Sequence, residues 1–171
     1  MGRKNTFLRD REVGKQAERK VAKFFADKAI PTTVIEWENK EDAKFYDLGS
    51  QLLPEMTQFT TEVKHDVYEN KSGNIAIEVA NTRSGKDSGI FITGADLWCH
   101  VLLTGMYITH RQTLFAYIHT KTPTRIIPDA GDGNACIYLY PSEQILSDVF
   151  HRFDEMSQEE LYRLLRELLD A

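Results

Sequence analysis

Cysteine is scarce in this 171-residue chain: Cys99 and Cys136 are the only two, far apart and neither in a Cys-x-x-Cys pair. That argues against a disulfide framework and against a thiolate zinc site. Long apolar runs are missing as well. Met1-Gly2-Arg3-Lys4-Asn5 leads into a charged stretch, so neither a secretory signal nor a membrane span is expected, and the default location is intracellular and cytoplasmic, with no membrane partner. There is no internal repeat and no low-complexity linker. Positive charge is also short, with a net charge of −5, which is awkward for a protein that grips a polyanion. The imbalance is uneven: residues 1–28 hold nine Lys and Arg against four Asp and Glu, while residues 141–171 hold three against eight. A basic face can therefore persist at the front, although solvated helices at both ends are the simpler reading of charge alone.

What is present is enough for a core. Hydrophobic residues make up 42% and charged residues 27%, the balance of one folded domain covering 1–171. Val13, Ala17, Val21, Phe24 and Phe25 recur at helical spacing and predict a helix over 7–28, stopped by Pro31. Strands are expected at Thr33–Trp37, Lys44–Gln51, Gln58–His65 and Asn74–Ala80, with turns around Pro54 and at Asn70–Gly73. Thr93-Gly94-Ala95-Asp96 has capping-box spacing and predicts a helix from Gly94 to Leu103. Met106–Thr109 reads as a strand, Arg111–His119 fits a helix or a strand with the helix favoured, and Arg125–Pro128 and Ala135–Tyr140 read as strands. Ser157-Gln158-Glu159-Glu160 is a second capping box. It opens an amphipathic helix with Leu161, Leu164, Leu165, Leu168 and Leu169 on one stripe, so 142–171 is expected as a C-terminal helical extension. Such a stripe most often packs on its own domain and less often forms a homodimer. The class is α/β, a central mixed sheet flanked by helices.

Chemistry concentrates on the third expected strand, Phe59-Thr60-Thr61-Glu62-Val63-Lys64-His65. Alternation puts Glu62 and Lys64 on one face and Val63 on the other. A hairpin through Pro54 brings Asp47 beside Glu62. Two carboxylates on adjacent strands offer hard oxygen ligands suited to Mg²⁺, which keeps several waters and needs few protein ligands. Lys64 is then placed to orient or deprotonate a water or to stabilise developing charge. Glu18 falls at the edge of the inward stripe of the first helix and is a further candidate.

These residues, in this order, resemble the PD-(D/E)XK nuclease superfamily, the restriction-endonuclease-like fold. That pattern has an acid on the first helix, an Asp on the second core strand and Glu-x-Lys on the third, here Glu18, Asp47 and Glu62-Val63-Lys64. The stretches Gly73–Val79, Ser88–Ile90, Thr93–Trp98 and Gly131–Pro141 resemble phage-type members. Tyr46 stands where the motif's name has Pro, a position that ligates nothing. The core likeness covers about residues 7–110, with a looser likeness to about 145.

The resemblance implies a Mg²⁺-dependent deoxyribonuclease, with Mn²⁺ able to substitute. It implies hydrolysis of a phosphodiester by a metal-activated water, in a phage setting of recombination, repair or DNA degradation inside a host cell. Asp47, Glu62 and the Val63 carbonyl are the expected metal ligands, Glu18 and Glu78 further candidates, and Asp47, Glu62, Lys64 and Glu18 the expected catalytic set. Arg83 and Lys86, on a polar loop, are candidate contacts to DNA, although a solvated loop accounts for them nearly as well. The competing expectation is a non-catalytic DNA-binding or structural protein on the same fold.

Overall fold

The computed structural model describes residues 3–35, 46–53, 57–130 and 134–170, with side chains from Glu12 onward. In chain order the described elements are helix α1 (Arg3–Asp27), strands β1 (Thr32–Val34), β2 (Leu48–Leu52) and β3 (Thr57–His65), and a short helix α2 (Glu69–Ser72). Strands β4 (Asn74–Asn81) and β5 (Lys86–Asp87) lead through a 3-10 turn (Gly89–Phe91) to β6 (Leu97–Val101) and β7 (Met106–His110). Then come α3 (Arg111–Thr120), β8 (Arg125–Ala130), β9 (Ala135–Pro141), α4 (Ser142–Val149), β10 (His151–Arg152) and α5 (Gln158–Leu169).

The main sheet has the order β1-β2-β3-β6-β7-β10. Its β3–β6 pair is parallel and its other pairs are antiparallel, so the sheet is mixed. Helices flank it, and the chain is mixed α/β as expected. A second, antiparallel sheet, β5-β4-β9-β8, was not anticipated. No described helix is long and apolar enough to cross a membrane.

One core lies between the main sheet and α1 with α5. Ala17, Val21 and Phe25 from α1 meet Leu48, Phe59, Val63, Leu97, Cys99 and Val101 from the strands. Phe25 packs edge-on against Phe59, and Phe24 edge-on against Phe153, at ring separations of 6.0 and 5.4 Å. α1 ends in a left-handed turn at Ala29, φ 58°. The Ile30 N–H returns to the Phe25 carbonyl and the Ala29 N–H to the Ala26 carbonyl, a closure that satisfies the last carbonyls and folds Ile30 back onto the helix. The other face of the main sheet, through Trp98 and Leu102, meets Ile75, Ile77 and Val79 of the second sheet together with α3 and α4.

The expected helix at Gly94–Leu103 is instead a strand. Leu97–Val101 pairs in parallel with β3, and every residue of it is buried. Leu97, Cys99 and Val101 face the α1 side while Trp98 faces the other. A strand covered on both faces loses its alternation, so its apolar run cannot be told from a buried helix by pattern. The apparent capping box does different work. Asp96 Oδ2 accepts from the Thr60 N–H and from Thr60 Oγ1, both at 2.8 Å, and so ties the start of β6 to β3.

Other boundaries shift by smaller amounts. β2 begins at Leu48; Trp37 and Lys44, expected at strand ends, lie outside the described residues. The expected Asn70–Gly73 turn overlaps α2, which is closed by Gly73 in the left-handed conformation. The stretch expected as a helical extension supplies α4, then β10 as the edge of the main sheet beside β7, then α5. The capping box at Ser157 forms in both directions. Leu161, Leu164, Leu165 and Leu168 enter the α1 core, and the Tyr162 hydroxyl donates to the Ala29 carbonyl at 2.9 Å. The stripe therefore docks on its own chain.

Candidate active site

Burial along β3 alternates: Phe59, Thr61 and Val63 are buried, whereas Thr60, Glu62 and Lys64 are partly exposed on the opposite face. The antiparallel register pairs Leu48 with Thr61, and Asp47, one residue earlier, comes to lie opposite Glu62. Two main-chain bonds and one from its side chain hold it there. Its N–H donates to the Thr61 carbonyl at 3.0 Å, its carbonyl accepts from the Ile35 N–H at 2.8 Å, and its carboxylate Oδ2 accepts from the Val63 N–H at 2.7 Å. The Val63 N–H thus points to the β2 edge, and in a strand the carbonyl of the same residue points the same way.

Lys64 Nζ reaches Glu62 Oε1 at 2.5 Å, with the Glu62 side chain 14% exposed and the Lys64 side chain 35%. The ammonium also lies 5.5 Å from the centroid of the Trp98 ring, an attractive contact with the face of an indole. The parallel pairing explains it, since Glu62 is in register with Trp98 and Lys64 with His100. His100 is fully buried. Burial, and then the charge of Lys64, lower its pKa to about 3, so it is a neutral floor beneath the centre.

The turn from Ser88 to Thr93 closes the site. Thr93 Oγ1 donates to Glu62 Oε2 at 3.3 Å, and the Ser88 hydroxyl donates to Glu78 Oε1. Gly89, φ +54°, packs directly on the Glu78 main chain, where any Cβ would collide; only glycine combines that approach with that backbone.

Electrostatics distinguish the members. Burial, followed by the neighbouring Glu62 charge, pushes Asp47 up from 3.8 to about 7; Lys64 and the Val63 N–H pull the other way, and Glu18 adds a smaller upward push. For Lys64, burial favours the neutral amine, but the charges of Glu62 and Asp47 and the bond to Glu62 prevail, with Glu78 adding to them. Lys64 is therefore held above the ordinary lysine range and stays charged.

A pH prediction follows from Asp47. A carboxylate whose folded pKa lies above its unfolded value binds its proton more tightly when folded. Its stabilising effect is complete below about pH 4 and is lost as pH rises through about 7. Metal-free protein should lose folding stability on this account between those limits. Asp47→Asn should flatten that part of the curve and be the more stable form at pH 8, as read by urea unfolding across the pH range. A wild-type curve that parallels the variant's would show that Asp47 ionises freely.

Of the residues expected at the site, Asp47, Glu62 and Lys64 are brought together. Glu18 is half-buried on α1, whose apolar stripe covers the opposite face of the sheet, and it reaches Asp47 as a charge. Glu78, on the second sheet, reaches Lys64 in the same way. Arg83 is exposed on the β4–β5 connection, and Lys86, expected on the same loop, is exposed at the start of β5. Thr93, Ser88 and Trp98 were not anticipated, because no spacing in the sequence links them to β3.

Among the described residues there is no group of three or more His, Cys, Asp or Glu side chains arranged to hold a metal ion. A Mg²⁺ site needs fewer, since this ion keeps several waters and commonly takes one or two carboxylates. The donor chemistry fits: Asp47 and Glu62 are adjacent hard oxygen donors, and the ionised Asp47 is disfavoured by burial and by Glu62, a penalty that a cation would relieve. No protein-family model matches the chain, and no curated protein matches it.

Proposed function

We propose that this protein is a metal-dependent DNA endonuclease of the restriction-endonuclease-like, PD-(D/E)XK type, hydrolysing phosphodiester bonds. The observation that carries the reading is the junction of β2 and β3. There Asp47, fixed through the Val63 N–H, stands beside Glu62, with Lys64 on the same face as Glu62. Asp47, Glu62 and the Val63 carbonyl are the groups that would hold Mg²⁺, or Mn²⁺ in its place. Such an ion, when bound, acidifies water and offsets charge building on a phosphate.

The remaining work falls to the chain. Lys64 stays cationic beside the acids, so its role is to orient a water or stabilise phosphate charge rather than to act as the base in its resting state. Once Glu62 is engaged elsewhere, Trp98 still supports the ammonium from below. Glu18 and Glu78 add negative potential at the rim and can hold waters or a cation. Arg83 and Lys86 are exposed cations available to a DNA backbone. A phage enzyme of recombination, repair or DNA degradation, acting inside a host cell, suits this chemistry.

A second reading has one observation in its favour. Glu62 is engaged directly by Lys64, as in a self-neutralised pair on a non-catalytic DNA-binding or structural protein. The two separate by incubating linear, single-stranded, flapped and four-way DNA with purified protein in Mg²⁺, Mn²⁺ or EDTA. Cleavage of at least one substrate with either metal, and none in EDTA, is expected. Intact DNA of every form with both metals leaves only the non-catalytic reading.

A further inference from the structure

Glu62 does not rely on Lys64 alone. Its second oxygen, Oε2, accepts from Thr93 Oγ1, and Thr93 is only 7% exposed. The same Oγ1 accepts from the Ala95 N–H at 3.2 Å. Because an ionised carboxylate offers only acceptors, the hydroxyl hydrogen is the one shared with Glu62. The turn that carries Thr93 is pinned at both ends. Upstream, Ser88 bonds Glu78 and Gly89 lies against the Glu78 main chain. Downstream, Asp96 clasps Thr60, two residues before Glu62 on β3. Thr93 is thus a rigidly mounted donor with a fixed aim, and it leaves Glu62 Oε1 as the oxygen Lys64 must yield if a cation is to bind.

We propose that Thr93 is a positioning residue of the metal centre, holding Glu62 Oε2 so that Oε1 is the oxygen left for a divalent cation. The proposal rests on the nuclease reading above. Groups that bond a ligating carboxylate from behind set its orientation, and their loss commonly weakens metal binding or activity by about 10- to 100-fold.

The test is calorimetric titration of Mn²⁺ into the full chain and its variants, with thermal unfolding as a check on folding. Thr93→Val keeps the shape and removes the hydroxyl, and it should weaken Mn²⁺ binding by about 10-fold. Thr93→Ser keeps the hydroxyl and should bind close to wild type. If Val does not pack, Thr93→Ala removes the same hydroxyl and should show the same weakening. A folded Val or Ala variant that binds Mn²⁺ like wild type overturns the positioning role while leaving the nuclease reading standing. So does a Ser variant as weak as Val. Absence of Mn²⁺ binding by wild type overturns both.

Discussion

Asp47→Ala should reduce DNA cleavage by about three orders of magnitude, the size of an electrostatic contribution of several kcal/mol to the transition state. Lys64→Ala should follow at about 10²- to 10³-fold, typical of removing one preorganised donor from developing charge. The two losses differ in kind. Asp47 is a half-buried acceptor whose charge is disfavoured by desolvation and by Glu62, so removing it relieves the apo fold while emptying the expected metal site. The Asp47→Ala protein should therefore unfold at no lower urea concentration than wild type near pH 8, and its Mn²⁺ binding should be lost. Lys64 neutralises Glu62, so Lys64→Ala leaves two uncompensated carboxylates. It should retain cation binding and lose turnover. Single-turnover cleavage under saturating Mg²⁺, beside Mn²⁺ titration, reads both. Activity retained in either variant would place the centre elsewhere on the chain.

Removing residues 157–171 should unfold the protein at room temperature. Leu161 and Leu165 are fully buried in the α1 core, and Leu164 and Leu168 are 6% and 8% exposed. Burying a leucine is worth about 1.5–3 kcal/mol. Losing four therefore approaches or exceeds the roughly 5–15 kcal/mol by which a domain is stable. The truncation also opens the core cluster that these leucines share with Val21 and Phe25, leaving an apolar face prone to association. Circular dichroism and light scattering of the truncated chain should show lost cooperative melting or aggregation. A soluble, cooperatively folded monomer would mean that α5 contributes little, and that α1 holds the sheet by itself.

These two expectations come from different levels of the molecule. Pattern alone yielded α1, the strands of the hairpin and α5, because each has one covered and one wetter face. Its Leu161–Leu168 stripe and Ser157 cap are local features, and local features survive in a sequence. The pairing of Glu62 with Lys64 was legible for the same reason, since a period of two on a half-buried strand fixes which side chains share a face. β6 was not legible. Trp98, Cys99 and His100 are buried whatever face they take, and with both sides covered the period that separates strand from helix disappears. The second sheet was hidden too, because β4 pairs with β9 across more than fifty residues of chain.

The sequence by itself determined the candidate acids, the lysine and the elements that carry them, since helical and strand periods are written in consecutive residues. Only the tertiary structure decided what surrounds them. It set Asp47 against the Val63 N–H, seated Lys64 above Trp98, and brought Thr93 and Ser88 onto Glu62 and Glu78. It also let the Glu18 charge on α1 act on Asp47. The physical reason is that hydrogen bonds and charges act over a few ångströms of space, and the parallel crossover from β3 to β6 makes neighbours of residues some thirty positions apart.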